Sequence, residues 1–341
     1  MSESSMPTLR RIEVAVGKWL DEYLPRGRPV TVACSGGADS LALAAATFGE
    51  AVRQGHPVAA ATVDHGLQAG SAERAATTAG LLRDIGYEDV RILPVTVGSD
   101  GGLEAAARTA RYAALHPLAR GGAVLLGHTL DDQAETVLLG LGRGSGPRSI
   151  SGMRPFTAPY GRPLLGIRRS ETELACVEAG LPVWQDPHNT DERFTRVRLR
   201  TEVLPLLEEV LGGGVSAALA RTADQLAEDG EVLDGLARQI LLRQVAPADR
   251  GTGVRLTVDG LAAEPAALRR RVVRLWLTAG GVRGLTAAHL NRVDRLLTTA
   301  TGAGADTAAG TVRLPGHLDA ALDDGRLVLR PVTPSRSSTG S

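Results

Sequence analysis

The run Ser35-Gly-Gly-Ala-Asp-Ser40 carries the sharpest chemical signal in the chain. Two adjacent glycines let the backbone approach a ligand closely. A helix that opens here turns its unpaired first N–H groups toward an anion. Ser35 and Ser40 add hydroxyls. No GxxxxGK occurs, so this is a phosphate cradle without the lysine of a Walker loop. The plainer alternative is a glycine-rich turn in which Asp39 or Ser40 only starts the helix. Further on, Asp64-His65 and Gly127-His128 each follow an apolar run. Asp132 and Glu135 are three apart and share a helical face. Acidic residues also favour a first helical turn with no further role, so Asp131, Asp132 and Glu135 have that second explanation. Arg108 and Arg111 are likewise three apart, with a solvated helix face as the bland reading. Arg196, Arg198 and Arg200 alternate at a strand-like spacing, and an ion pair with Asp186 or Asp191 competes with any chemical role.

These residues need a scaffold that brings them together. The first half alternates strand and helix patterns: strands over Pro29–Ala33, Val58–Val63, Val90–Val95 and Ala123–Gly127, and helices over Ser40–Glu50, Ser71–Ile85, Leu103–Arg120 and Asp131–Leu141. That alternation predicts βαβ units and a parallel sheet with helices on both faces. Ligands of such sheets bind beyond the carboxyl ends of the strands. The chemistry therefore belongs just after Ala33, Val63, Val95 and Gly127. Ser170-Glu-Thr-Glu173 has the form of a capping box opening a helix to about Ala179. Leu199–Val210 reads as a helix that Pro205 kinks or breaks. Gly212-Gly-Gly214 marks a boundary. Val215–Val245 and Ala266–Leu297 read as amphipathic helices, and Val312–Leu314 and Leu327–Leu329 as short strands. The expected organisation is an α/β domain over 1–211, a smaller, mainly helical domain over 215–331, and a disordered tail over 332–341.

The pieces in order are SGGxDS at Ser35, Val63-Asp-His-Gly-Leu67, Ala107-Arg-Thr-Ala-Arg-Tyr112, the Gly127-to-Thr136 segment, Arg143-Gly-Ser-Gly146, Arg162-Pro-Leu-Leu165, Trp184-Gln-Asp-Pro-His-Asn-Thr-Asp191 and Phe194-Thr-Arg-Val-Arg-Leu-Arg200. The first resembles the pyrophosphate loop of the PP-loop ATP pyrophosphatases, a Rossmann-like fold. The whole series, from about Val30 to Pro205, resembles the tRNA(Ile)-lysidine synthetase family. Two departures stand out. Val197 replaces the asparagine usual between the first two arginines, and Thr129 replaces the second histidine of GHH.

The resemblance implies a reaction. ATP adenylates O2 of the wobble cytidine in the isoleucine tRNA with a CAU anticodon, and the ε-amine of L-lysine then attacks C2 and expels AMP. It implies ATP contacts from Ser35, Gly36, Gly37, Ala38, Asp39, Ser40, Asp64, His65 and Arg108, with Asp39 holding Mg²⁺. His128, Asp132, Arg198 and Arg200 join Asp39 as catalytic residues, and Asp132 and Glu135 take the lysine amine. Arg111, Arg143, Arg196, Arg270 and Arg274 fall to the tRNA. Members of the family are often dimers, though nothing in the sequence marks an interface.

Composition agrees with this and excludes little more. The 341 residues carry 38 basic and 38 acidic groups and are 43% hydrophobic. Lys18 is the only lysine, so phosphate clamps must use arginine or backbone amides. No apolar run is long enough to span a membrane and no secretory leader is present, so a cytoplasmic location without membrane association is expected. Cys34 and Cys176 are too few for a disulfide framework or a cysteine-held metal cluster.

Overall fold

The structure is a computed structural model that describes residues 7–98, 102–144, 146–186, 191–246, 255–299 and 310–332. The expected tail at 332–341 lies, apart from Val332, outside the described residues. The chain forms two compact units, Met1–Leu139 with Gly152–Ala223, and Gly140–Ser151 with Asp224–Ser341.

In the first unit the elements run α1 (Thr8–Tyr23), β1 (Val30–Ala33), α2 (Ala38–Arg53), β2 (Val58–Asp64), α3 (Ser71–Ile85), β3 (Asp89–Pro94), α4 (Leu103–Leu115), β4 (Ala123–Leu126) and α5 (Leu130–Gly142), the last ending in the second unit. The short α6 (Pro147–Ile150) belongs to the second unit. Then come β5 (Phe156–Thr157), β6 (Tyr160–Gly161), α7 (Arg169–Glu178), α8 (Thr195–Arg198), a wide turn at Leu199–Val203, and α9 (Leu204–Val210). The sheet order is β3-β2-β1-β4-β6-β5. All neighbours are parallel except the β5–β6 hairpin. The strand order reverses about β1, with β2 on one side and β4 on the other, which leaves a crevice at their carboxyl ends.

Residue type explains these elements. Val30, Val32, Val124 and Leu125 are fully buried on the central strands, which are covered on both faces. Helix α1 buries Ile12, Val16, Trp19 and Leu20, a spacing that puts them on one face. Each such side chain stabilises the fold by roughly 1.5–3 kcal/mol. The expected Leu103–Arg120 helix ends early at Leu115, and a tight turn, His116–Ala119, follows with Pro117 in it. The capping expectation is corrected. Helix α7 starts at Arg169, and Glu171, not Glu173, reaches back to accept the Arg168 N–H at 2.9 Å. The expected kink at Pro205 is a π-type turn just before it, which absorbs the hydrogen bond that proline cannot donate.

The second unit takes in the later part of α10 (Val215–Gln244), together with β7 (Val245–Ala246), β8 (Arg255–Thr257), α11 (Ala266–Ala279), α12 (Ala287–Thr299), β9 (Thr311–Leu314), β10 (Leu318–Asp323) and β11 (Arg326–Pro331). Its core joins Val272, Val273, Trp276 and Leu277 of α11 to Val293 and Leu297 of α12 and to Leu256, Val312 and Leu327 of the sheet. The sheet is antiparallel, β7-β8-β11-β10-β9, and larger than the two short strands expected. No single helix among the described residues is long and apolar enough to cross a membrane.

Candidate active site

A cleft of about 850 Å³ opens in the first unit at the carboxyl ends of β1, β2 and β4. The end of β3, where chemistry was also expected, contributes nothing to its lining. One wall is the Ser35–Ser40 loop. Gly36 has φ of +87°, and a Cβ there would lie 2.7 Å from the Thr78 hydroxyl. The Ser40 hydroxyl accepts the Ser35 N–H at 3.1 Å and donates to the Gly37 carbonyl at 2.9 Å, so it fastens the loop. No side chain caps the start of α2, and its first residues, Ala38, Asp39 and Ser40, line the cleft. Gly127 lets β4 pass close by: a Cβ there would lie 2.9 Å from the Asp39 carbonyl oxygen. Cys34 lies buried beneath the loop, and burial pushes its thiol up, so it stays protonated.

The floor is a network of charge. Asp132 accepts the Thr129 N–H at 2.8 Å and the Thr129 hydroxyl at 3.0 Å, which closes the start of α5. Thr129, at the position where the related histidine would stand, therefore has a capping role. Burial pushes the Asp132 carboxyl up, but Arg169, the Thr129 N–H, His128 and Arg200 together hold it below its ordinary value. Glu135, fully buried, accepts Arg200 Nε at 2.8 Å and lies 3.5 Å from Arg196 Nη1. Burial raises its carboxyl, against the pull of Arg200. Asp39 accepts Arg169 Nε at 3.0 Å and the Thr172 hydroxyl, and burial raises its carboxyl too.

The strand-like reading of Arg196, Arg198 and Arg200 is corrected, since the segment is helical. Four residues apart on a helix, Arg196 and Arg200 share a face and converge on Glu135. Arg198 points elsewhere and pairs with Glu202 at 2.9 Å, outside the cleft lining. Of the two aspartates expected to compete for these arginines, Asp191 bonds Arg193 at 2.6 Å and Asp186 accepts from Gln68 at 3.3 Å. Val197 is buried, a position that suits its apolar side chain.

Asp64 and His65 line the cleft at the end of β2. The Gly66 N–H at 3.0 Å, with Ser71, holds the Asp64 carboxyl below its ordinary value. Burial and the nearby Arg111 push the His65 imidazole down, and its Nδ1 is buried without a hydrogen-bond partner. His128 stands across the cleft with its Nδ1 also unpartnered. Burial drives its pKa down to about 3, so it is a neutral imidazole at pH 7. Of the α4 pair, Arg111 reaches the cleft, and Arg108 lies exposed against the Tyr112 ring.

The remaining predicted residues lie in the second unit. Arg143 and Arg270 are exposed there, and Arg270 donates to Asn291 at 3.1 Å. Arg274 is half-buried, and burial with Arg148 nearby lowers its guanidinium. Sequence reasoning missed Arg169 and Thr172. The only available signal was an arginine directly before the acidic start of a helix.

A Rossmann-like sheet with this glycine loop at the switch point defines a PP-loop nucleotide-binding protein, and a PP-loop domain model matches residues 9–207. A model of the TilS substrate binding domain matches residues 256–328. The chain belongs to the tRNA(Ile)-lysidine synthase family. It is 60% identical to the tRNA(Ile)-lysidine synthase of Nocardia farcinica, over 77% of this chain and 80% of that one. It is 56% identical to that of Rhodococcus erythropolis over 80% of each, and 59% identical to that of Mycobacterium bovis over 73% and 75%. The U34-tRNA thiolase NcsA of Methanococcus maripaludis, solved with its [4Fe-4S] cluster, shares the fold at TM-score 0.54 and 18% identity. That match covers 65% of this chain and 80% of that one.

Proposed function

We propose that this enzyme, an ATP-dependent ligase by family, adenylates O2 of the wobble cytidine of isoleucine tRNA with a CAU anticodon and then joins L-lysine to C2. The observation that carries the reading is the cleft itself. It sets an uncapped helix N-terminus and its glycine loop beside a neutral histidine and the paired charges of Asp39, Asp132, Arg169 and Arg200, with Glu135 and Arg196 linked behind them. The first N–H groups of α2 bind the phosphates of ATP. Attack by O2 on the α-phosphorus forms one P–O bond and breaks the bond to pyrophosphate. Arg111 and Arg200 face the charge that develops on the phosphate oxygens. The lysine amine then attacks C2, the bond from C2 to the AMP oxygen breaks, and the amine gives up a proton. His128, a neutral imidazole with an unpartnered Nδ1, is suited to hydrogen-bond the adenylate, while the raised carboxyl of Glu135 is the better acceptor for that proton. Asp132 and Glu135 attract the amine, the role we give the pair.

Mg²⁺ fits this site. Among the described residues no group of three His, Cys, Asp or Glu side chains is set to hold a metal ion. Mg²⁺, however, needs only one or two carboxylates beside substrate phosphates. Asp39 lines the cleft at the phosphate cradle and shares one guanidinium with Asp132. It would hold the ion, which would neutralise phosphate charge. Sulfur transfer is disfavoured, since Cys34 and Cys176 are both buried and cannot ligate a cluster together with other cysteines. We place the enzyme in the cytoplasm with its tRNA, and assign Arg143, Arg196, Arg270 and Arg274 to the tRNA backbone.

The test is incorporation of labelled lysine into an isoleucine tRNA transcript with a CAU anticodon, with and without ATP, beside a methionine tRNA. ATP-dependent labelling of the isoleucine tRNA alone is expected. Cleavage of ATP to AMP and pyrophosphate without labelling would keep the nucleotide chemistry and remove lysine as the nucleophile.

A further inference from the structure

Arg169 is the first residue of α7, and its bonded N–H groups all meet carboxylates. Its backbone N–H donates to Asp131 Oδ2 at 2.8 Å, which fixes the helix start against the first turn of α5. Its guanidinium then reaches two carboxylates from two other helices. Nε donates to Asp39 Oδ2 at 3.0 Å and Nη2 to Asp132 Oδ1 at 2.8 Å. Nη1 lies 3.9 Å from Glu135 Oε1 and is buried without a hydrogen-bond partner. One planar cation thus spans the nucleotide side of the cleft, at Asp39, and the acidic side, at Asp132 and Glu135. Guanidinium suits this position because its fork can hold two carboxylates at once.

The charges make the consequence plain. Asp39, Asp132 and Glu135 carry three negative charges, and Arg169, Arg200 and Arg196 carry three positive ones within 3.9 Å of them. With Asp131, which accepts the Arg169 N–H, the cluster carries one net negative charge before any ligand arrives. Both Asp39 oxygens are already engaged, Oδ1 by the Thr172 hydroxyl and Oδ2 by Arg169 Nε, so a divalent cation that binds Asp39 competes with the Arg169 guanidinium for the carboxylate. The guanidinium loses a carboxylate and has one unpartnered N–H group already.

We propose that Arg169 is a positioning residue, the exchangeable counter-ion of Asp39, which a divalent cation displaces when nucleotide is loaded. Through the same guanidinium, loading at Asp39 loosens the hold on Asp132 and Glu135. Nucleotide binding thereby opens the acidic floor to an incoming amine. This rests on the reading of Asp39 as the metal-holding residue.

The experiment is equilibrium binding of Mn²⁺ alone to the full chain, followed by electron paramagnetic resonance, for the unsubstituted protein and for Arg169→Gln, Arg169→Lys and Asp39→Asn. Removing a competing cation at contact distance should tighten Mn²⁺ binding about ten-fold in Arg169→Gln. The lysine ammonium of Arg169→Lys has no fork and holds one carboxylate at a time, so it should tighten binding by roughly three-fold. That second variant keeps the charge and carries the test if the glutamine variant does not fold. An arginine that serves only to hold helices together predicts no gain. Unchanged or weaker Mn²⁺ binding in the folded arginine variants, with binding lost in Asp39→Asn, overturns this inference and leaves the metal reading intact. Mn²⁺ binding that survives unaltered in Asp39→Asn overturns both.

Discussion

In the first unit, Arg169, Arg196 and Arg200 come from α7, α8 and the turn after it and meet carboxylates of α2 and α5; of this network Asp39, Asp132, Arg169 and Arg200 line the cleft, and Glu135 lies buried behind them. In the second unit, the arginines of α11 mostly close on partners that brace the unit itself. Arg269 holds Asp294 of α12 through two bonds, at 2.7 and 3.1 Å, and donates to the Glu264 carbonyl at 2.8 Å. Arg271 bonds Asp234 of α10 at 3.0 Å. Four arginines close together in sequence thus resolve into different jobs. Exposed Arg270 is the one turned outward, and clustering alone does not announce a tRNA surface. A charge network that lines this cleft is available to a ligand there, whereas one that links two helices outside it braces the fold. That difference can be tested residue by residue.

The largest effect should come from Asp39→Asn. The carboxylate is lost where ATP phosphates and a cation are proposed to meet, and pyrophosphate release should fall by at least about 100-fold. Circular dichroism and the melting temperature should stay near those of the parent. Near-normal pyrophosphate release would mean that this network is no more catalytic than the one in α11. Arg269→Ala should act oppositely, on stability and not on chemistry. Asp294 would lose its partner, and both side chains are only 13% exposed. A cost of about 2 kcal/mol is expected, less than for a sealed pair. Urea denaturation measures it, and a loss below about 0.5 kcal/mol would put Arg269 back among the surface arginines.

Asp132→Asn should come next. The amide keeps an oxygen for the Thr129 N–H but loses the charge facing Arg169 and Arg200. The apparent KM for lysine should rise roughly ten-fold, as expected when a charged partner at contact distance is removed, with adenylation partly kept. An unchanged KM would leave the residue a helix cap only.

Much of this scaffold was legible because its strands are short apolar runs between amphipathic helices, and Gly36 and Gly127 sit where only a small residue fits. The site was legible only where its residues are close in sequence. Arg169 lies 130 residues from Asp39 and 37 from Asp132, and no local pattern connects them. The arginines at 196, 198 and 200 misled by their period of two, which a helix turns into one inward pair and one outward residue. Arg108 and Arg111 share a helical face by spacing and both lie over the Tyr112 ring, but only Arg111 reaches the cleft.

A smaller effect is expected at Glu208, which lies away from both networks. Its carboxylate accepts the Val215 N–H at 2.9 Å and the Ser216 N–H at 2.9 Å, and so caps the start of α10. Those N–H groups hold its carboxyl below the ordinary value. Glu208→Ala should cost about 1 kcal/mol. A depressed carboxyl contributes stability above its unfolded pKa, and the contribution is lost as pH falls through the folded value. The difference between parent and variant in denaturant midpoint should therefore shrink in acid, below the ordinary carboxyl value of 4.5. A constant difference across that range would show that the side chain acts by packing and not by charge.

The smallest effect sharpens the comparison most. Arg270 lies exposed and bonds only the Ala266 carbonyl, at 3.1 Å, and the Asn291 side chain, also at 3.1 Å. Arg270→Ala should leave stability within about 0.5 kcal/mol of the parent. If the outward arginine of α11 meets a phosphate, tRNA affinity should fall two- to five-fold and the slope of log affinity against log salt should lose about one unit. The salt slope separates the cases, because a lost packing contact changes affinity without releasing a counter-ion. A reduced affinity with an unchanged slope would assign Arg270 to the internal bracing that Arg269 and Arg271 supply.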